Sequence, residues 1–258
     1  MSFAINTNVG SMNAQRNAGV SQSSLSTSIQ RLSSGLRVNS AKDDAAGLAI
    51  AERMNSQVRG MNVAIRNAND GISLAQTADG GLASMADMVQ RMRELSVQAV
   101  NSTNTSSDIA ALNEEYTQLR SELVRTLGAV QFNGNSLYTS TANFDFQVGA
   151  NSGQTITIAA SAMAINSATN IIAITTGAVG SALTTSANSA NAANIDLLDK
   201  ALSTINTTRA TLGAVQSRFE TTISFLKSAS ENQAAARGRI MDADFAAETS
   251  NLSRAQIL

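Results

Sequence analysis

Residues 43–100 read DDAAGLAIAERMNSQVRGMNVAIRNANDGISLAQTADGGLASMADMVQRMRELSVQAV, and this stretch decides the fold. Its apolar residues recur at alternating spacings of four and three, which is typical of a helix packed in a coiled-coil-like bundle. The first part of the stripe comprises Met54, Val58, Met61, Ile65, Ala68, Ile72 and Ala75. The second part comprises Met85, Met88, Met92, Leu95 and Ala99. The pattern predicts one helix over 44–100, softened or locally overwound at Gly80-Gly81, where the spacing slips.

The start of this helix is marked by capping residues, and its length indicates the shape of the molecule. Ser40 is a candidate N-cap, because Asp43 three residues later forms a weaker version of the capping box. Asp43 and Asp44 also suit the positive end of a helix. A helix over 44–100 would be about 85 Å long, whereas a compact globule of this chain length is about 47 Å across. We therefore expect an elongated molecule.

Three more helices are predicted from the same spacing. The N-terminal helix has a stripe at Leu25, Ile29, Leu32 and Leu36 and an end marked by Ser34-Gly35. After the polar loop 101–107, the next stripe comprises Ile109, Leu112, Tyr116, Leu119, Leu123, Leu127 and Val130. The last comprises Ile195, Leu198, Leu202, Ile205, Leu212, Val215, Phe219, Ile223 and Leu226. Arg209 stands where an apolar residue is due, so it is a candidate register-setting polar position.

The middle of the chain has a different character, since Asp145 is the only charged residue between Thr126 and Ile195. Apolar and polar residues alternate over 144–148 and again over 155–158. The turn 149–153 separates them, and the pattern predicts a β-hairpin with a five-residue loop. Residues 166–194 are a low-complexity stretch, which we interpret as irregular structure or weak strand.

Composition excludes most catalytic chemistry. The 258 residues include no His and no Cys, so the commonest general base, the thiol nucleophile and most zinc ligands are absent. We predict no enzyme activity, no cofactor and no metal. Asp242, Asp244 and Glu248 could chelate a hard cation, but acidic residues opening a terminal helix are the preferred interpretation.

The charge and hydropathy of the chain argue against some classes of binding partner. The formal net charge of −1 argues against a nucleic-acid or anionic-membrane binder, and no secretory signal peptide or membrane span is predicted. Among the 18 basic residues only Lys42, Lys200 and Lys227 are lysine. Arg is preferred where bidentate pairing holds surfaces together, so this bias favours repeated protein–protein contacts.

Seven co-linear segments resemble bacterial flagellin, the subunit of the flagellar filament. They are INTNVGSMNAQRN (5–17), RLSSGLRVNSAKDDAAGLAIAERM (31–54), NDGISLAQTADGGL (69–82), QRMRELSVQAVN (90–101), QFNGNSLY (131–138), FQVGANSGQTITI (146–158) and DADFAAETSNLSRAQIL (242–258). The resemblance implies a mainly α, elongated, coiled-coil-like helical rod with a small β-hairpin subdomain.

The resemblance also implies a division of the chain. Residues 1–43 would form an inner-tube helix and linker, and 237–258 the start of its C-terminal counterpart. The rod would comprise 44–135 and 194–236, with the hairpin and a short variable region at 136–193. The family normally continues past residue 258 with most of another helix. We therefore expect this chain, on its own, to polymerise poorly and to have a mobile N-terminal region.

The family's partners follow from the resemblance as expectations. They are other flagellin subunits, the filament cap and junction proteins, and the flagellar export apparatus with its chaperone. The subunits would be secreted and become part of an extracellular motility filament. The alternatives are a hook–filament junction protein and an adhesin-like or glycan-binding variant that uses 160–194.

Two regions resemble segments that innate immune receptors recognise. Gln30–Ala51 is similar to the segment sensed by plant flagellin receptors, and it includes Asp43, Asp44 and Gly47. The residues that fall where the animal Toll-like receptor makes its central contacts are Val89, Arg91, Leu95 and Glu115. The same residues could instead serve contacts between subunits, and both roles are compatible.

Overall fold

The computed structural model describes residues 8–140, 142–163, 182–184 and 188–257. Its helices are α1 (Val9–Ser34), α2 (Ala45–Val100), α3 (Ser106–Ala129), α4 (Ala160–Met163), α5 (Asn188–Met241) and α6 (Phe245–Ile257). The strands are β1 (Gln131–Phe132), β2 (Asn135–Ser136), β3 (Phe144–Gln147) and β4 (Thr155–Ile158). The predicted mainly α class with a small hairpin is confirmed.

The chain divides into two compact units. The terminal unit contains the residues up to Asn62 and those from Lys227 onwards, and the central unit is Val63–Leu226. Helix α2, unbroken over 56 residues as predicted, contributes to both. Each unit has its own apolar core, and the two cores differ greatly in size.

The core of the central unit is built on the small residues of α2. Ala64, Ala68, Gly71, Ala75 and Ala78 are buried there, followed by larger apolar side chains as far as Ala99. A Cβ at Gly71 would lie 2.6 Å from Cζ of Phe219, so only glycine lets α5 approach this closely. Small residues therefore set the helix separation, and the ring of Phe219 fills the space that they leave.

The predicted stripe is largely confirmed, but three of its positions are displaced by one residue. Ile65, Ile72 and Met88 are only half-buried, whereas Ala64, Gly71 and Val89 take the inward positions. The prediction chose the larger apolar residue Ile65 over Ala64 and Ile72 over Gly71. The inward face includes Ala and Gly, whose small size suits close helix contact.

Helix α2 continues without a break through Gly80 and Gly81, where the sequence predicts softening or local overwinding. The helix continues through both, and Gly81 accommodates Tyr138: a Cβ there would lie 2.5 Å from the phenolic oxygen. The Tyr138 hydroxyl donates a hydrogen bond to the carbonyl oxygen of Ala78. Burial raises the pKa of Tyr138, so the phenol stays protonated and keeps its donor.

Helix α5 is longer than the predicted 194–236 at both ends. Asn188–Asn194 is helical, so the interpretation of 166–194 as irregular is wrong for this part; residues 166–181 and 185–187 lie outside the described residues. Buried amides explain the early start. Asn191 donates to the carbonyl oxygen of Thr184 (3.0 Å) and accepts from its N–H (2.9 Å).

Arg209 does not occupy the core stripe of α5. Thr208 does, buried with its hydroxyl donating to the carbonyl oxygen of Thr204 (3.0 Å). Arg209 lies beside the stripe, and its Nε donates to Oδ1 of Asp79 on α2 (2.8 Å). Because the hydroxyl of Thr208 makes its hydrogen bond to the backbone of its own helix, a polar residue is tolerated at this inward position.

The predicted hairpin is present. β3 and β4 are antiparallel with Phe144 opposite Ile158, and Val148 N–H donates to the Gln154 carbonyl, leaving 149–153 as the turn. A second, smaller hairpin of β1 and β2 was not predicted. Its signal was the Asn133-Gly134 pair, in which both residues have positive φ (50° and 79°), as a type I′ turn requires.

The terminal unit is held by contacts between the two ends of the described chain. α1 begins at the Asn8 cap and ends at Gly35, whose φ of 70° gives the left-handed cap predicted from Ser34-Gly35. Leu36 lies outside the helix and bridges to Asp242. Beyond it, Val38, Ala51 and Met241 form a small cluster of buried apolar side chains among the described residues of this unit.

Candidate subunit-contact surface

Asp43, Asp44 and Gly47 organise the start of α2. The N-cap is Asp44 and not Ser40: Asp44 Oδ1 accepts from Gly47 N–H (2.8 Å), and the helix begins at Ala45. A Cβ at Gly47 would lie 2.3 Å from the Asp44 carboxylate, so any other residue there requires the Asp44 side chain to shift. Asp43 instead closes the preceding turn by accepting from the hydroxyl and backbone N–H of Ser40, and these hydrogen bonds lower the pKa of Asp43.

Arg91 and Glu115 form an exposed ion pair between α2 and α3. Arg91 Nε donates to Glu115 Oε1 (2.7 Å), and its Nη1 donates to Glu94 Oε2 (3.1 Å). The side chains of Arg91 and Glu115 are 50% and 45% exposed. The two acceptors raise the pKa of Arg91. Being solvated, the pair adds little stability, but it presents an oriented guanidinium to a partner.

Val89 and Leu95 do not reach this surface. Both are in the core of the central unit, with 0% and 1% exposure. As the helix is placed, Arg91 and Glu115 are accessible to solvent, whereas these two side chains are not. Of the four positions that the resemblance assigned to the receptor contact, the structure therefore brings two to the surface and uses two for packing.

A second ion pair on the same helix joins α2 to α5. Arg93 Nε donates to Asp199 Oδ1 (2.5 Å) and Nη2 to Oδ2 (3.2 Å), a bidentate contact that raises the pKa of Arg93. In the sequence Arg93 stands between Arg91 and Glu94, but nothing there indicates its partner, 106 residues away. The contact is specific in geometry and fixes how the two helices align.

Helix α1 differs from the surfaces described above because it exposes several large apolar side chains. Val9, Met12, Val20 and Ile29 are all more than half exposed. On the side facing α6, Arg31 Nη1 lies 3.7 Å from Glu248 Oε1, and Arg31 Nε is buried with no hydrogen-bond partner. Helix α1 is thus only partly covered within one described chain.

Neither metal nor membrane chemistry marks these surfaces. Within the described ranges, no three acidic side chains converge as metal ligands, and no helix has the length and hydropathy to cross a bilayer. Asp244 opens α6 as predicted, with Oδ1 accepting from the N–H groups of Ala246 (2.9 Å) and Ala247 (3.3 Å).

Comparison with known proteins gives the family. Residues 5–143 match the family described as bacterial flagellin N-terminal helical region, and residues 195–258 match the bacterial flagellin C-terminal helical region. A flagellin of Halalkalibacterium halodurans is 44% identical over 98% of this chain and 91% of its own length. The chain belongs to the flagellin family.

Other relatives agree with this assignment. Flagellin D of Vibrio cholerae is 33% identical, with 100% of this chain and 94% of the relative covered. The crystal structure of Bacillus cereus flagellin is 34% identical with a TM-score of 0.54, over 67% of this chain and 94% of that one. A putative flagellar hook-associated protein of Vibrio parahaemolyticus shares the fold alone, with 11% identity and a TM-score of 0.62 over 78% of this chain and 100% of that one.

Flagellins are structural proteins of the flagellar filament. As a member, this chain is a filament subunit and not an enzyme.

Proposed function

We propose that the chain is secreted and self-assembles into an extracellular homopolymeric filament for motility, in which copies bury the exposed apolar surface of α1. The observation that supports this is the exposure of Val9, Met12, Val20 and Ile29 on α1, each of which is more than half exposed. Exposed apolar surface of this kind marks association sites. Burying it between copies removes apolar area from water and so stabilises the polymer.

The proposal includes the predicted division of labour. The segments 1–43 and 237–258 line the inner tube, 44–135 with 194–236 forms the rod, and 136–193 carries the hairpin and the variable region. Export uses the flagellar apparatus and its chaperone, and assembly uses the cap and junction proteins.

Expression in a motile bacterium that lacks its own flagellin tests assembly. Filaments seen by electron microscopy, and swimming in soft agar, are the expected result when the family's further C-terminal helix is appended, and fewer filaments are expected from this chain alone. Val20→Asp and Ile29→Asp should abolish filaments while the purified chain keeps its helical content. Gln22→Asp adds the same charge to α1 and is the matched control. Secreted chain without filaments, or normal filaments from both variants, would contradict the proposed role of α1.

We propose, second, that the animal Toll-like receptor recognises the surface of Arg91 and Glu115. The specific support is the oriented, half-exposed guanidinium on a long helix, an arrangement suited to an interface anchor. Leu95 and Val89 contribute by holding this face of α2 in place, since both are buried beneath it.

Reporter cells that express the receptor test this proposal. Arg91→Ala and Glu115→Ala should raise the half-maximal concentration of monomer about tenfold or more. The exposed pair Glu122 and Arg125 lies on α3 as well, so Glu122→Ala and Arg125→Ala are matched controls. Equal responses from all four variants would exclude this surface as the contact.

For the plant receptor, we propose that Gln30–Ala51 is read as a peptide, with Asp43, Asp44 and Gly47 as its contact residues. In the folded chain, Asp43 and Asp44 hold the turn and the helix cap. A synthetic peptide of residues 30–51 frees both carboxylates. It should trigger the receptor response in leaf tissue more strongly than the folded chain, and Asp43→Ala with Asp44→Ala should remove it.

The two alternative functions, a hook–filament junction protein and an adhesin-like variant, predict different experimental results. A hook–filament junction protein would be found only at the base of the filament, whereas the proposed subunit labels along its length. An adhesin-like variant would lose its function on deletion of 164–181 and keep it after depolymerisation. Immunogold labelling of filaments and binding of cells to host glycans distinguish these outcomes.

A further inference from the structure

We propose that Phe225 of one copy inserts into the slot between the two hairpins of the next copy, with Arg218 of the first beside Asp145 of the second. This inference rests on the proposed self-assembly and names a contact within it. It concerns the central unit only.

The slot is an open cavity of about 280 Å³, with aromatic and aliphatic residues on one part of its wall and Asn133, Asn135, Asn143 and Asp145 on the rest. Phe132 comes from the first hairpin, Phe144 and Phe146 come from the second, and Leu74 of α2 forms part of the wall. The wall is rigid. Phe146 packs edge-to-face on buried Phe219, with ring centroids 5.5 Å apart at 89°, and Asn67 donates to the carbonyl oxygen of Gln147 (3.0 Å). A preformed pocket with aromatic walls favours an aromatic guest.

Phe225 is exposed and does not pack into the core of its own chain. Its side chain is on α5 and is 69% exposed, the most exposed large apolar residue described in the central unit. It follows Phe219 by six residues, which turns it about 120° around the helix from the ring that contacts the hairpin. A rigid helix cannot turn both rings to the same side, so Phe225 does not reach the slot beside Phe219.

Charge agrees with the same pairing. Arg218 precedes Phe225 by seven residues, so both lie on one face of α5, about 10 Å apart along its axis. Arg218 is exposed and takes part in no ion pair within the described ranges. Asp145 borders the slot, accepts only the Thr157 hydroxyl, and has no cation near it in the same ranges. In the proposed contact, Phe225 of one copy therefore meets the slot of the next copy, and Arg218 of the first meets Asp145 of the second.

The contact is heterologous, because the patch and the pocket are different parts of the molecule. Such a contact does not close on itself in a pair; it adds further copies in one direction, and where the rotation between copies does not close a ring it produces an open helical polymer. A second copy of this chain is therefore the occupant that suits a filament subunit, and one contact can propagate along the whole assembly.

Charge reversal is the first test, made in the full chain expressed in the flagellin-deleted host. Arg218→Glu or Asp145→Arg alone should lower the fraction of secreted chain found in filaments about tenfold, because each places like charges together. The double variant Arg218→Glu with Asp145→Arg should restore it. Both residues are exposed, so circular dichroism should show folded monomers throughout. Single variants that assemble normally, or a double variant no better than either single, would overturn the pairing.

Cross-linking is the second test, and the absence of native cysteine makes it clean. A chain with Phe225→Cys and Asn135→Cys, the latter on the wall of the slot, should form a ladder of disulfide-linked multimers in filaments. It should form no cross-link as a monomer. Val124→Cys with Asn135→Cys is the control, since Val124 is also an exposed apolar residue of the central unit.

The outcomes separate this inference from the proposed function. Filaments of the cysteine chain without a ladder, or with a ladder equal to the control, would refute the Phe225 contact and leave self-assembly standing. If the unaltered chain forms no filaments, self-assembly fails, and the contact that rests on it fails too.

Discussion

Ile29 in the terminal unit and Phe219 in the central unit both belong to apolar stripes of long helices, yet their surroundings are opposite. Phe219 is fully buried against Gly71 and Phe146, whereas Ile29 is 53% exposed. The central unit completes its core within one described chain. The terminal unit has a core of three buried apolar residues and leaves apolar surface uncovered. Similar patterns in sequence thus serve two purposes, intramolecular folding and association.

The sharpest way to test this difference is a pair of truncations. Phe219→Ala should lower the free energy of unfolding of the central unit by about 3–5 kcal/mol, because it leaves a cavity at the centre of the core. Ile29→Ala should change the stability of the isolated chain by less than about 0.5 kcal/mol. Chemical denaturation with hydrogen exchange resolves the two units. Equal effects of the two truncations would show that the contrast between the units is wrong.

The adjacent glycines of α2 sharpen the comparison inside the central unit. Gly81→Ala should cost about 1–3 kcal/mol, because its Cβ would collide with the hydroxyl of Tyr138. Gly80→Ala should stabilise the helix by about 0.5–1 kcal/mol, because a Cβ there meets nothing within 4 Å. Thermal unfolding of the two variants, side by side, should therefore show shifts of opposite sign.

The amide of Asn191 tests how the start of α5 is held. Asn191→Ala leaves the backbone N–H and carbonyl of Thr184 without their protein partner, at an expected cost of about 1–3 kcal/mol. Amides in the first turns of α5 should then exchange faster, while those of α1 stay unchanged. Unchanged exchange in α5 would mean that the helix start is stable without this contact.

The smallest expected effect concerns the cap of α3 at low pH. Hydrogen bonds from Thr105 hold the pKa of Asp108 below its ordinary value. The stabilisation is therefore present above the ordinary carboxyl pKa and is lost as pH falls through the lowered one. Asp108→Asn should make the melting temperature less dependent on pH in the acid range. Melting curves that remain parallel to those of the unaltered chain would show that the cap does not titrate with folding.

Much of the helical framework was predictable because its signals are local. The spacing of apolar residues in α2, α3 and α5, the Gly35 cap and the alternation in β3 and β4 are all decided within a few residues. What failed was the choice between neighbouring inward positions, such as Ala64 against Ile65. Burial of a small residue depends on how close the facing helix comes, and that distance is set by a residue far away in sequence.

The candidate surface was predictable in type but not in geometry. The charged patch around Arg91 is visible in the sequence, whereas its partner Glu115 and the pairing of Arg93 with Asp199 depend on how the helices align. Val89 and Leu95 also show that the sequence does not decide which side chains reach the surface. Resemblance placed them at a contact, and packing placed their side chains inside the core.

The sequence by itself determined the family, the long helices, the hairpin and the lack of imidazole and thiol chemistry, because residue type and spacing encode these directly. Only the tertiary structure decided that Gly71 and Gly81 admit the rings of Phe219 and Tyr138, and that Phe225 remains outside any core. Each of these depends on how segments distant in the chain pack together. Such contacts form when the helices pack, and local pattern carries no record of their distance.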